Sequence, residues 1–187
     1  MIGVLAIQGG FIEHINTLGK IGAPAFEIRQ KEDLLKNRID GLIFPGGEST
    51  VIGKLIRELG LFDPLDALIR GGTPVLGTCA GAILLAQEIA GNENAYFGAI
   101  DIRVKRNAFG RQLSSFHTAG EFAGLGEIPM TFIRAPIIEE AGEEAEVLAR
   151  VNGRIVAARQ KNVLVTAFHP ELTKDLRVHR FFFENIK

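Results

Sequence analysis

Three side chains in this sequence are of the types that nucleophilic catalysis requires: the thiol of Cys79, the imidazole of His169 and the carboxylate of Glu171. Cys79, the sole cysteine, lies in Gly77-Thr78-Cys79-Ala80-Gly81, between an apolar run that reads as a strand and an alanine-rich run that reads as a helix. This is the thiol form of a nucleophile elbow. So sharp a turn needs small residues two positions either side, where a side chain would collide with neighbouring backbone. It lifts the sulfur clear of the sheet and sets it beside the first N–H groups of the next helix, whose partial positive charge favours thiolate. Free cysteines often serve only as small buried hydrophobes, so the elbow does not carry the assignment alone. Near the other end, residues 163–168 read as a buried strand running into His169-Pro170-Glu171. Residues two apart in extended chain point the same way, and Pro170 biases His169 toward extended geometry. Imidazole and carboxylate are therefore expected on one side, with Glu171 holding the ring and stabilising the imidazolium. Cys79, His169 and Glu171 together read as a triad.

Such a triad needs elements that bring two distant segments to one rim. Strand-like runs at 2–7, 24–28, 41–45, 74–78 and 163–168 alternate, in the first half, with helical patterns at 11–21, 50–59, 62–70 and 80–89. That alternation predicts an α/β fold, a single domain over 1–187, with a mainly parallel sheet and helices on both faces. Segments 99–105, 111–117, 130–134, 145–151 and 154–159 are short and β-rich, and Val151-Asn152-Gly153-Arg154 carries the signal of a tight hairpin. They predict an antiparallel β extension. From Asp175 to Ile186 apolar residues recur at helical spacing, a closing helix with Phe181-Phe182-Phe183 as core packing. The acidic group Glu139, Glu140, Glu143, Glu144 and Glu146 reads as a solvated loop and strand edge.

With 187 residues, 47% of them hydrophobic, the chain can bury a full core. A formal net charge of -1 supplies no basic field for nucleic acid. The apolar start, Met1 to Ile7, has no charged leader and is too short to span a bilayer, so it reads as a buried first strand. One cysteine forms no internal disulfide, which fits a reducing compartment and makes the cytoplasm the expected location.

The turn Phe44-Pro45-Gly46-Gly47-Glu48-Ser49-Thr50 lacks the lysine of a phosphate-binding loop. In an open α/β sheet it opens at the carboxyl ends of the strands, on the rim where the elbow and the His-Pro-Glu turn emerge. Thiolate attack on an amide builds charge on the carbonyl oxygen, and preplaced backbone N–H groups lower that barrier. Those of Ala80 and Gly47 are the candidate oxyanion donors.

Several of these stretches also carry a family resemblance. Pro45-Gly46-Gly47-Glu48-Ser49-Thr50, Gly77-Thr78-Cys79-Ala80-Gly81, Arg106-Asn107-Ala108-Phe109-Gly110-Arg111-Gln112, Phe132-Ile133-Arg134-Ala135-Pro136 and Phe168-His169-Pro170-Glu171-Leu172-Thr173 resemble the glutaminase subunits of pyridoxal 5'-phosphate synthases, within the class I glutamine amidotransferases. Leu5 to His14 is also similar, with Gly10 where alanine is commoner, while Ser115 to Glu121 departs from that family's acidic run. The resemblance implies hydrolysis of L-glutamine to L-glutamate, with ammonia passed internally to a synthase subunit that builds the vitamin B6 cofactor. It implies no metal and no organic cofactor. It also implies that Gly47, Glu48, Ser49, Arg106, Ile133 and Arg134 bind the substrate, leaving open which arginine meets the α-carboxylate, and that the free subunit is weakly active until its partner completes the oxyanion site. His14, His117 and His179 are expected to lie outside any comparable constellation. The rival readings are the glutaminase subunit of another amidotransferase, a cysteine peptidase, and a noncatalytic module on the same fold. Retention of all three triad residues disfavours the last.

Overall fold

The computed structural model describes residues 1–91, 94–106 and 115–184. Short apolar runs, each ended by a turn, form its centre: β1 (Ile2–Leu5), β2 (Ala25–Ile28), β3 (Gly41–Phe44), β4 (Val75–Thr78) and β12 (Val163–Thr166). They lie parallel in the order β2-β1-β3-β4-β12. Four of the five are buried end to end, as strands covered on both faces must be.

Alternation along these strands feeds two cores. Leu42, Phe44, Val75, Val163 and Val165 face one, with apolar residues of α3 (Ser49–Glu58), α4 (Phe62–Arg70) and α5 (Ala80–Leu85). Ile43, Leu76 and Leu164 face the other, with Leu18 of α1 (Phe11–Lys20) and Val178 and Phe182 of α6 (Arg177–Glu184). Each such side chain removed from water stabilises the fold by about 1.5–3 kcal/mol before entropy is counted. The predicted α/β class, with helices on both faces of a largely parallel sheet, is what the chain adopts.

Beyond β12 the sheet continues antiparallel through β11 (Arg154–Gln160) and then divides. One arm runs to β10 (Glu146–Val151), β7 (Ser115–Phe122) and β8 (Gly126–Ile133); the other runs to β9 (Ile137–Ala141), β6 (Ile100–Lys105) and β5 (Ala86–Ile89). The expected tight turn joins β10 to β11, with Asn152 and Gly153 both at positive φ, 50° and 76°, as a type I′ hairpin requires.

Some boundaries need correction. The helix expected over 80–89 ends at Leu85, and Ala86–Ile89 turns into β5 beside β6. Every residue of α5 is buried, so there is no polar stripe whose end would mark the change. The helix α2 (Lys31–Lys36) was not expected; it buries no residue and so presents no apolar periodicity, its start being fixed by a capping box between Gln30 and Asp33. Glu139 and Glu140 lie within β9, paired with Arg103 of β6. Residues 111–114 of the expected 111–117 strand, Asn107 to Gln112 of the quoted motif, and Ile186 fall outside the described residues.

Candidate active site

Cys79 is the hinge between β4 and α5. Its backbone, at φ 49° and ψ -102°, is a conformation that costs a non-glycine residue on the order of 1–3 kcal/mol, so its surroundings must hold it. The Cys79 N–H donates to the Thr166 carbonyl at 2.8 Å, tying the elbow to β12. A Cβ on Gly81 would overlap the Phe44 carbonyl, and one on Gly77 would lie 2.8 Å from the Gly81 backbone. This is the steric demand that the flanking glycines imply.

His169 arrives from the neighbouring strand. Phe168 is fully buried and meets the Phe132 ring edge-on at 5.8 Å and 60°. Its carbonyl accepts from the Thr166 hydroxyl at 2.8 Å, and the His169 N–H donates to the Thr131 carbonyl at 2.8 Å. One expectation is corrected here: His169, Pro170 and Glu171 are not extended, because Pro170–Leu172 forms a single 3-10 turn. The fixed φ of proline suits the first position of such a turn. The turn still swings Glu171 beneath the ring, with His169 Nδ1 2.7 Å from Glu171 Oε1.

The electrostatics follow from burial and partners. Burial opposes charging His169, but the hydrogen-bonding and charge contributions of Cys79 and Glu171 outweigh it and push the imidazole up to about 10. The ring therefore keeps a proton through neutral pH. Burial would by itself raise Glu171; the charge of His14, then the hydrogen bond and charge of His169, reverse this and hold the carboxyl below its ordinary range. Burial also lowers His14 itself, so the cation that Glu171 meets at neutral pH is His169. Among the described residues, His169 Nε2 has no fully formed hydrogen bond, and Cys79 Sγ approaches the Ile133 carbonyl oxygen at 3.8 Å. Thiol and imidazole are neighbours whose contact is still loose, as is common before substrate binds.

A cleft of about 280 Å³ opens over these groups, a size at the small end for a metabolite pocket. Gly46 roofs it, since a Cβ there would overlap the His169 ring and lie 3.3 Å from Cys79 Cβ. Gly47, Glu48, Ser49, Ala80, Arg106, Ile133 and Arg134 all line it. Ala80 opens α5, so its N–H lacks an intrahelical partner. The Gly46 carbonyl accepts from Gly10 N–H at 2.9 Å; across a trans peptide this aims the Gly47 N–H away from Gly10. Glu48 N–H donates to Gln8 Oε1 at 2.9 Å, and Arg106 Nη2 donates to Glu48 Oε1 at 3.2 Å. Arg134 ends β8 in a left-handed conformation, φ 44°.

Two groups near the cleft were missed. Glu13 lines it from the first turn of α1. His14, expected to lie apart, stands behind Glu171 with Nε2 3.5 Å from Oε2, and His179 lies against His14. The available signal was the helical spacing that puts His14 on the buried face of α1 with Thr17 and Leu18. His117 is exposed and bonds Thr131 Oγ1 at 2.9 Å. Among the described residues no group of three or more His, Cys, Asp or Glu side chains is arranged to hold a metal ion, and no helix is long and apolar enough to cross a membrane.

A cysteine on a strand-to-helix elbow, facing a histidine and a carboxylate from the adjacent parallel strand, is an arrangement suited to acyl transfer through a thioester. The chain belongs to the SNO glutamine amidotransferase family, whose profile matches residues 4–187. It is 54% identical, over 99% of its length and 92% of the relative's, to the pyridoxal 5'-phosphate synthase subunit PdxT of Desulfitobacterium hafniense. With the subunit of the same name from Haemophilus influenzae strain PittEE it shares 52% identity, over 100% of this chain and 98% of that one. A crystal structure described as a glutamine amidotransferase superposes with a TM-score of 0.93 at 49% identity, over 99% of this chain and 98% of that one.

Proposed function

We propose that this chain is the glutaminase subunit of a pyridoxal 5'-phosphate synthase, working in the cytoplasm and passing ammonia to a synthase subunit for vitamin B6 biosynthesis. What carries the reading is likeness over 99% of the chain, at 54% identity, to a subunit named for that complex.

In this mechanism the Cys79 thiolate, paired with the His169 imidazolium, attacks the side-chain amide carbon of L-glutamine while the oxygen takes up negative charge opposite the N–H groups of Ala80 and Gly47. As the C–N bond breaks, the His169 imidazolium gives its proton to the departing ammonia, leaving a glutamyl thioester. His169, now neutral, takes a proton from water, which attacks the thioester; the sulfur leaves as thiolate, glutamate departs, and the thiolate–imidazolium pair is restored. Glu171 orients His169 throughout. Because the sulfur is itself the nucleophile, the chemistry calls for no metal or organic cofactor.

Glu48 and Arg106 offer opposite charges at one mouth of the cleft, and Arg134 offers a second cation, matching an amino acid's α-ammonium and α-carboxylate. Gly47, Ser49 and Ile133 complete the binding surface. Turning the Gly46–Gly47 peptide would break the Gly10 to Gly46 hydrogen bond, a loss of about 1 kcal/mol that docking of the synthase subunit can offset. Glutamate release should therefore rise when that subunit is added. Equal rates with and without it would reject partner activation, and absence of glutamate release in both would reject the glutaminase reading.

A further inference from the structure

Behind the Cys79 cleft lies a second set of buried polar groups for which the mechanism above has no use. His14 and His179 are both fully buried, on α1 and α6, which cover the same face of the sheet. His14 Nδ1 lies 2.9 Å from His179 Nε2, and His14 Nε2 lies 3.1 Å from the Thr78 hydroxyl, the residue just before Cys79. His14 Nε2 also lies 3.5 Å from Glu171 Oε2. That carboxylate oxygen and His179 Nδ1 are buried without hydrogen-bond partners among the described residues. Two histidines in contact share one proton between facing nitrogens, so each choice of tautomer dictates the next.

Suppose His14 carries its proton on Nδ1 and donates to His179. Then His179 must hold its own proton on Nδ1, a buried N–H with nothing to receive it, and His14 turns a lone pair toward the negative Glu171 Oε2. The opposite choice has His179 Nε2–H donating to His14 Nδ1, which moves the His14 proton to Nε2. That N–H donates to the Thr78 oxygen at 3.1 Å and faces Glu171 Oε2 at 3.5 Å, and only a bare lone pair remains on His179 Nδ1. An N–H turned toward a carboxylate oxygen 3.5 Å away is favoured by charge where a lone pair is repelled, and a buried orphan N–H is rarer than an under-used acceptor. The carboxylate therefore decides the tautomer.

We infer that His14 is a positioning residue for the proposed triad: its Nε2–H faces the second oxygen of Glu171, and His179 fixes that tautomer. With Oε1 held by His169 and Oε2 facing His14, rotation of the carboxylate is restrained from both sides, and the ring that handles the proton keeps its direction. The chain of contact runs from α6 through α1 to the turn after β12, so docking of two helices sets the aim of the imidazole. The groups facing His14 are Glu171, His169, Glu13 and His179. Burial is the largest influence on both buried rings and keeps them neutral, with His179 lowered to about 3.

This inference rests on the glutaminase reading for its kinetic consequence, but its first test does not. Imidazole ¹⁵N spectra of the intact labelled chain at neutral pH report tautomers directly. Nε2–H on both His14 and His179 is expected; Nδ1–H on His14 overturns the inference whatever the activity. The second test is glutamate release by the chain with its synthase subunit. His14→Leu should lower kcat about ten- to a hundredfold, the size of effect seen when an outer partner that orients a metal-bound histidine is removed, with KM changed less than about twofold. His14→Gln, which keeps a donor near the Nε2 position, should restore most of the loss. Equal rates for His14→Leu and His14→Gln, or a loss confined to KM, overturn the inference. If His14→Leu does not melt cooperatively, the comparison passes to His179→Gln and His179→Phe, with the same expectation and the same refutation. A wild-type complex that releases no glutamate refutes the glutaminase reading instead, and the tautomer spectra still decide this one.

Discussion

Two buried histidines approach Glu171 from opposite sides and end in opposite states. His169, against Oε1, is pushed up to about 10, while His14, behind Oε2, is lowered. Burial opposes charging both, and more completely at His14, which is 0% exposed against 8% for His169. His169 has a 2.7 Å bond to the carboxylate and the thiol as a second supporting neighbour; His14 meets the same carboxylate at 3.5 Å and has a second imidazole on its other nitrogen. At His169 one strong partner distance and one helpful neighbour outweigh desolvation, whereas at His14 desolvation, with the charge of His169 nearby, outweighs the more distant Glu171. Two imidazoles with opposite shifts can thus share one carboxylate.

Removing the sulfur tests that difference most severely. Cys79→Ala should reduce glutaminase turnover by at least about a thousandfold, since triad members act as a unit, while the fold persists. Titration of His169 by NMR in the same variant should show its pKa falling, with His14 unmoved; retained turnover would remove the nucleophile assignment. Glu171→Gln comes next, with turnover expected to drop by about a hundredfold or more and His169 again falling, because its hydrogen-bonded anion is gone. A His169 that stays near 10 in this variant would mean that the sulfur alone sets its charge.

Stability against pH should sharpen the contrast further. His14 and His179 are lowered, so below about pH 6.5 the unfolded chain binds protons that the folded chain refuses, and stability falls with acid by up to about 1.4 kcal/mol per pH unit for each group. The depressed Glu171 adds loss in the same direction, as pH falls through its folded value. His169 is raised, so its contribution is complete below about 6.5 and disappears as pH climbs through about 10. Urea midpoints should accordingly be highest near pH 6.5, with the alkaline decline flattened in Cys79→Ala. An unchanged alkaline limb in that variant would contradict the role given to the sulfur. The smallest effect belongs to His117→Ala, where the ring is exposed and bonds one hydroxyl: turnover should change by less than about threefold and stability by less than about 0.5 kcal/mol.

Much of the scaffold was legible because its signals are local. Strand β4, the elbow and the start of α5 are readable from an apolar run, two glycines and a change of periodicity, and the β10–β11 hairpin from Asn152-Gly153. What escaped had no local signal or a misleading one. The helix α2 buries nothing, α5 is buried all round, and β9 carries adjacent acids that make sense only opposite Arg103. Glu171 reaches the ring through a 3-10 turn rather than extended chain; proline and carboxylate in sequence permit either route. His14 was misjudged because the residues it meets, Thr78, Glu171 and His179, are distant in sequence and touch it only when α1 and α6 pack on the same face.

By itself, then, the order of residues determined where the chain can turn sharply and which runs must be buried, and it singled out the three side chains that the proposed thioester chemistry would use, since sterics and periodicity act over a few neighbouring positions. Only the tertiary structure decided which buried histidine carries charge and which oxygen of Glu171 it meets. Those outcomes depend on distances of about 3 Å between segments far apart along the chain, and at that range a few tenths of an ångström decide between a hydrogen bond and a contact.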